Sequence, residues 1–204
     1  MNTISNILYW ISTGLLVPVI VLLIFFFLRA IILIGGFFGQ YMQVKKLSVP
    51  LQDKIAKLTP ETYSEFANRL PEKPKTLLAS YARKIIDAHG NEPKLELLLS
   101  EYELDASKEI STSKILTKMG PMLGLMGTLI PMGPALVGLA TGDIASMAYN
   151  MQVAFATTVV GLVVSAIGFI TQQAKERWSI RDITVLEYLA ELSKNIEPEH
   201  STIN

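Results

Sequence analysis

The sequence predicts an all-α membrane protein with three transmembrane helices, the second and third extending into a cytoplasmic helical bundle. Three observations carry that expectation. Half of the 204 residues are apolar, and they are gathered into blocks of membrane length, where about 20 residues suffice to cross a hydrocarbon core. Lysine and arginine are missing from residues 1–28 and 119–174. Outside the blocks, apolar positions return every three or four residues, the period of a helix packed on one side.

The first span starts near Ile7 and runs through LLVPVIVLLIFFFL to Leu28, with Arg29 and AIILIGGFF behind it. It is too long and too apolar for a signal peptide and has no basic leader, so it reads as an uncleaved membrane helix. Arg29 marks the water interface or snorkels from a longer, tilted helix. The second span covers about Gly120 to Leu139 and the third about Met151 to Thr171. Of the 18 basic residues, 13 lie between Lys45 and Lys118, four between Lys175 and Lys194, and the last is Arg29. The excess of positive charge on cytoplasmic segments then sets the orientation: N-terminus outside, C-terminus cytoplasmic. Ala140 to Asn150 becomes a short outer loop, with Asp143 a solvated residue in it.

Prolines cut the cytoplasmic part into helices. Thr59-Pro60-Glu61 reads as an N-cap with proline and acid in the first turn, and Pro74 to Ala88 as a helical run stopped at His89-Gly90. Asn91-Glu92-Pro93 opens another helix, whose apolar positions Leu95, Leu98, Leu99, Tyr102 and Ala106 share a face and which enters the second span unbroken. Trp178, Val185, Leu189 and Leu192 carry the third span on in the same way until Pro198. The organisation is therefore 1–39 N-terminal transmembrane helix, 40–118 cytoplasmic helical region, 119–173 hairpin of spans two and three, and 174–204 cytoplasmic C-terminal helix and tail.

Formal charge is zero, which recommends no nucleic-acid partner, and the lack of cysteine removes disulfides, thiol catalysis and cysteine-held metals. His89 and His200 are the two histidines and neither has a second at ligand spacing, so no metal or cofactor is expected. No nucleophile, base and orienting group converge, and an enzyme is not expected.

Two stripes inside the membrane matter more. Pro121, Gly124, Thr128, Pro131, Ala135 and Gly138 follow at steps of three and four, which puts them on one face of the second span. Ala154, Thr158, Gly161, Ser165, Gly168 and Gln172 do the same in the third. Small residues let backbones approach closely in lipid, and Ser or Thr hydroxyls can bond across the contact for about 0.6 to 2 kcal/mol. The plainer reading is helix packing alone, with each threonine hydroxyl satisfied by its own preceding turn. Apart from Arg29 the spans hold no ionisable side chain, whereas a carboxylate relay needs one at membrane depth. If ions cross here, another polypeptide must bring the titrating group.

The run Gly120-Pro121-Met122-Leu123-Gly124-Leu125-Met126-Gly127-Thr128 resembles the second-span signature of the MotA/TolQ/ExbB proton-channel family, a small residue and proline ahead of a GLxGT element. Ala156-Thr157-Thr158-Val159-Val160-Gly161-Leu162 resembles that family's third-span pattern, ATxxGL. The resemblance covers about residues 92 to 185 and makes 119–173 its channel hairpin, while the first span agrees in topology only. It implies a homo-oligomeric ring, a pentamer, around the single helices of a MotB/TolR/ExbD-like partner whose aspartate takes up and releases protons. Thr128 and Thr158 then correspond to pore-facing threonines beside that aspartate and form the ion pathway. Pro121 places or kinks the second helix, Gly124, Gly127 and Gly161 allow close approach, and Pro131, Ala154 and Ser165 complete the packing or pore-facing set.

Some family members carry a glutamate where this chain has Val153, with Gln152 beside it, and Gly168 stands where a proline follows the GL element. Pro131 and Pro134 are additional in the second span. A sodium-driven relative would use the same hydroxyl scaffold. A TolQ/ExbB-like unit powering transport or envelope work is the expected role, against a non-conducting scaffold of the same fold or a subunit of a small-solute transporter.

Overall fold

The computed structural model describes residues 2–71 and 74–196, which form helices joined by short links, with no strand among them. The helices are α1 (Asn2–Gly14), α2 (Leu16–Gln43), α3 (Val49–Ala56), α4 (Pro60–Arg69), α5 (Leu77–Ile86), α6 (Glu92–Thr141) and α7 (Ile144–Ile196). Three helical stretches are long and apolar enough to cross a membrane, at Tyr9–Ala56, Glu92–Thr141 and Ile144–Asn195. Each is longer than a bilayer requires; the second and third contain the spans read from the sequence, and the first overlaps the span read from Ile7 to Leu28.

Prolines explain the irregular points of the first stretch. Pro18 has no N–H for the Gly14 carbonyl, and the helix falters at Leu15 before the Val19 N–H returns to the Leu15 carbonyl at 3.1 Å. Pro50 withholds a donor from the Lys46 carbonyl in the same way. There the chain makes a π-helical turn, Val44–Ser48, and the Val49 N–H reaches back five residues to the Val44 carbonyl. Helical structure therefore runs on past residue 39 as far as Ala56.

Caps set the shorter helices. Thr59 and Thr62 form a reciprocal capping box at the start of α4, and the Thr76 hydroxyl accepts from the Ala79 N–H at 3.2 Å to start α5. That cap begins α5 three residues after Pro74. His89 and Gly90 take positive φ of 49° and 70° and reverse the chain, and Asn91 caps α6 through the Lys94 N–H. From there α6 runs unbroken through Pro121, Pro131 and Pro134. The described part of α7 ends at Ile196, so the expected stop at Pro198 and the tail with His200 lie outside the described residues.

One expectation needs correcting. The loop foreseen over Ala140 to Asn150 contracts to Gly142-Asp143, because Gly142 takes φ 77° and Asp143 caps α7, its carboxylate accepting from the Ser146 N–H at 3.0 Å. Asp143 is a helix cap with its own N–H bonded to the Gly138 carbonyl at 2.8 Å.

The chain forms two compact units, each with its own core. In the first, built from the chain up to Gly35 with Ser111–Gln172, Val19, Leu23 and Ala30 of α2 pack on Leu116 and Leu123 of α6 and Val164 of α7. Leu129, Leu136, Phe155 and Ile170 point outward and are more than half exposed. Such apolar outward rows suit contact with lipid or other membrane helices, and each helix bonds its own backbone groups within itself. The second unit, Gly36–Ile110 with the chain from Gln173, is a bundle whose core joins Ile55 and Leu58, Leu78 and Ile85, Leu95 and Tyr102, and Leu186 and Leu189. Phe37 stacks on Trp178 with ring centroids 5.5 Å apart, and the Tyr188 hydroxyl donates to the Leu58 carbonyl at 2.7 Å.

Leu186 is fully buried in the bundle core and Leu104 is 71% exposed. Leu186→Ala is expected to cost about 2–5 kcal/mol in thermal or denaturant unfolding of the detergent-solubilised protein. Leu104→Ala should stay within about 0.5 kcal/mol, and equal effects would contradict this core.

Candidate functional site

The two small-residue stripes meet each other. Gly120 and Gly124 of α6 lie against Gly161 and Ser165 of α7 so closely that backbone touches backbone. A methyl group placed on Gly161 would sit 2.6 Å from the Gly120 carbonyl oxygen and 2.9 Å from Gly124 Cα. One placed on Gly120 would sit 2.6 Å from the Gly161 carbonyl oxygen. Gly124 has slightly more room, its nearest neighbours being Gly161 Cα, the Thr157 carbonyl oxygen and Thr158 Cα, all at 3.5 Å. Lower on the same contact, Gly168 packs on Thr117 and Ser113, 2.6 Å from the Thr117 nitrogen by the same measure. Ala154, Ala135 and Pro131 are buried along the two helices as well.

Pro121 acquires a specific role. It sits exposed on α6 and leaves the Thr117 carbonyl, four residues earlier, without its usual donor. The Ser165 hydroxyl of α7 donates to that carbonyl at 3.0 Å. The Thr117 carbonyl that Pro121 leaves free and the Ser165 hydroxyl are thus the acceptor and donor of one interhelical hydrogen bond. A second polar link follows, where the buried Thr171 hydroxyl meets the buried Ser113 hydroxyl at 3.1 Å.

The threonines behave differently from the serine. Thr128 donates to the Leu125 carbonyl at 2.7 Å and Thr158 to the Ala154 carbonyl at 3.0 Å, so each spends its proton on its own helix. Both are half-buried. What each retains is an oxygen with free acceptor capacity. Such an oxygen can receive a hydrogen bond from water or a protonated carboxyl group, or help coordinate a cation, but it does not titrate. The structure does not bond the two hydroxyls to each other.

Thr157 was not singled out by the stripes, yet it is the buried threonine of its motif, at 6% exposure. Its side chain fills the space left by Gly127, where a methyl group would lie 2.6 Å from both Thr157 Cβ and Oγ1. Its hydroxyl returns to the Val153 and Ala154 carbonyls. Gly120 and the Ser113–Thr171 pair also lay off the reading by stripes. No Asp, Glu or His stands in residues 111–142 or 144–175, so the hairpin has no titratable acid beyond Asp143 at its turn.

Fold and site together define a multi-pass membrane protein built on a close-packed helical hairpin whose two spans carry no charged side chain. The family model of the MotA/TolQ/ExbB proton channel family matches residues 72–187, more than half of the 204-residue chain, and the chain belongs to that family. The match begins ahead of α5 and extends into α7, so it takes in much of the bundle as well as the hairpin. A comparison with curated proteins gives no match.

Two outcomes follow from this contact. Gly161→Ala or Gly120→Ala is expected to destabilise the protein in detergent by about 1–3 kcal/mol through overpacking, while Gly124→Ala is tolerated; a wild-type melting temperature for Gly161→Ala would refute the close approach. Ser165→Ala should cost about 1 kcal/mol by orphaning the Thr117 carbonyl. Adding Pro121→Ala restores a backbone donor, so the double variant should recover most of that loss in a double-mutant cycle.

Proposed function

We propose that the chain is a ring-forming subunit, a pentamer in the assembled state, of an ion-driven energy converter in the inner membrane. Protons are the proposed coupling ion. The ring encloses the single transmembrane helices of two copies of a MotB/TolR/ExbD-like partner carrying the titrating aspartate, and the work done is transport or an envelope process. The N-terminus lies outside, the C-terminus and the bundle lie in the cytoplasm, and lipid covers the outward apolar rows.

Membership of a proton-channel family, in a chain whose second and third spans offer threonine acceptors and no titratable acid, is the observation that carries this reading. A protonated carboxyl on a neighbouring helix needs an acceptor in a medium that supplies none, and a back-bonded threonine provides one without the cost of a buried charge. One charge crossing 100 mV releases about 2.3 kcal/mol, which sets the scale of work available per ion. A non-conducting scaffold of the same fold is the second reading, favoured by the hydroxyl protons being spent within their own helices.

Thr128→Val and Thr158→Val keep the volume and remove the hydroxyl. In proteoliposomes holding the chain with its co-purifying single-span partner, each should cut ion uptake by about tenfold or more, the effect of losing roughly 1.4 kcal/mol from the barrier-lowering interactions, while the complex still assembles. The chain reconstituted alone should conduct little. Normal uptake in both variants would overturn the role of the hydroxyls, and no uptake by the natural complex would favour the scaffold.

A further inference from the structure

Among the described residues one acid of the bundle is buried. Asp182 of α7 is 8% exposed, and its carboxylate lies between two other helices. Oδ1 accepts from the side-chain amide of Gln52 on α3, and Oδ2 accepts from the Tyr102 hydroxyl on α6 at 3.1 Å. Both donors are neutral. The cations nearby are turned elsewhere: Arg181 faces Asp53 at 3.4 Å, and the Lys175 ammonium donates to the Glu109 backbone carbonyl at 3.3 Å.

Gln52 supplies a second and separate sign. It is 2% exposed, and its Oε1 is buried without any donor. Turning the amide over would bring Oε1 to Asp182, where an ionised carboxylate has nothing to give and a protonated one has an O–H. A polar cavity of about 140 Å³ borders the carboxylate, lined among others by Tyr102, Ser179, Lys175, Glu109 and Lys75, and provides room for water beside it.

We propose that Asp182 is a proton-binding site joining α3, α6 and α7, reached through this cavity, with the Gln52 amide reversing its hydrogen-bond sense when the proton arrives. The proposal stands on the bundle alone and is independent of how the hairpin conducts. The groups around Asp182 are Gln52 and Asp53 from α3, Tyr102 and Glu109 from α6, Arg181 and Lys175 from α7, and Lys75 ahead of α5. Burial is the largest influence and raises the Asp182 pKa above the ordinary carboxylate range; the Gln52 and Tyr102 bonds oppose it, Glu109 adds to it, and Arg181 opposes it weakly. Burial, with the charge of Asp182, raises the Tyr102 hydroxyl, which therefore stays a donor.

Because the folded chain holds this proton more tightly than the unfolded one, the stability it contributes is complete below the ordinary aspartate value of about 3.9. It is lost as pH rises through the raised folded value. Infrared difference spectra of the intact detergent-solubilised protein, recorded against pH, follow the C=O stretch of the protonated carboxyl directly. The expected band titrates above the range of an ordinary aspartate, vanishes in Asp182→Asn and, in Glu109→Gln, persists with its midpoint moved to lower pH. In Tyr102→Phe, which removes a bond to the charged form, the band moves to higher pH. Asp182→Asn should also keep at neutral pH the thermal stability that the natural chain reaches only in acid. A midpoint at the ordinary value, a band that survives Asp182→Asn, or a Tyr102→Phe midpoint that stays put or falls would overturn the proposal. Should Asp182→Asn fail to fold, the natural chain and Tyr102→Phe decide it.

Discussion

The hairpin depends on one constraint, that α6 and α7 approach until backbone meets backbone at Gly120, Gly124 and Gly161. At Gly120 and Gly161 that separation leaves no room for a side chain, and none for water. Every polar backbone atom at the contact must then be satisfied by the protein itself. The glycines make this approach possible, and the approach in turn brings Ser165 within reach of the carbonyl that Pro121 leaves free. A proline in the middle of a membrane helix would ordinarily cost a hydrogen bond. Here the neighbouring helix returns it, and α6 continues through Pro121 unbroken.

The same closeness decides what the threonines can do. With the two helices locked along the glycines, Thr128 and Thr158 stay half-buried with their protons on their own carbonyls, while Thr157 is consumed in filling the gap at Gly127. Adjacent threonines in one motif thus have different surroundings, one packed and one holding back an acceptor oxygen. Residues on a helix turn by about 100° per position, so neighbours in sequence necessarily face different partners.

That rotation also marks how much was legible beforehand. Steps of three and four identify the faces that carry Gly124, Thr128, Gly161 and Ser165, and the unbroken run from Glu92 into the second span was readable because no breaker interrupts its apolar period. A stripe does not reveal what it packs against. These two pack largely on each other, through Gly120, which continues the contact beyond the stripe as drawn. Thr157 lay off its stripe, and its trace in the sequence was Gly127, likewise off the stripe opposite. The turn at Gly142-Asp143 was overestimated because a charged residue between apolar blocks looks like loop, whereas a carboxylate next to a positive-φ glycine is a helix cap. Asp182 was hidden for a different reason. Its burial comes from Gln52 and Tyr102, some 130 and 80 residues distant in the chain, and no local pattern records such a meeting.

Hydroxyls and carboxylates are sorted in this chain by the cost of their surroundings. A serine or threonine in an apolar helix can bond its own preceding turn and lose little, and the hairpin uses this repeatedly. A carboxylate has no such refuge, because a charge at membrane depth costs several kcal/mol even when water and lipid adjust. The chain places Asp143 at a turn, where backbone N–H groups meet it, and Asp182 in the bundle, where an amide and a phenol do. Its charge-free spans can accept a proton's hydrogen bond and cannot hold the proton. On the proposed reading, the step in which a proton is bound within the membrane belongs to the partner, and the hairpin's contribution is to keep two acceptor oxygens at a fixed place while the partner's charge changes beside them.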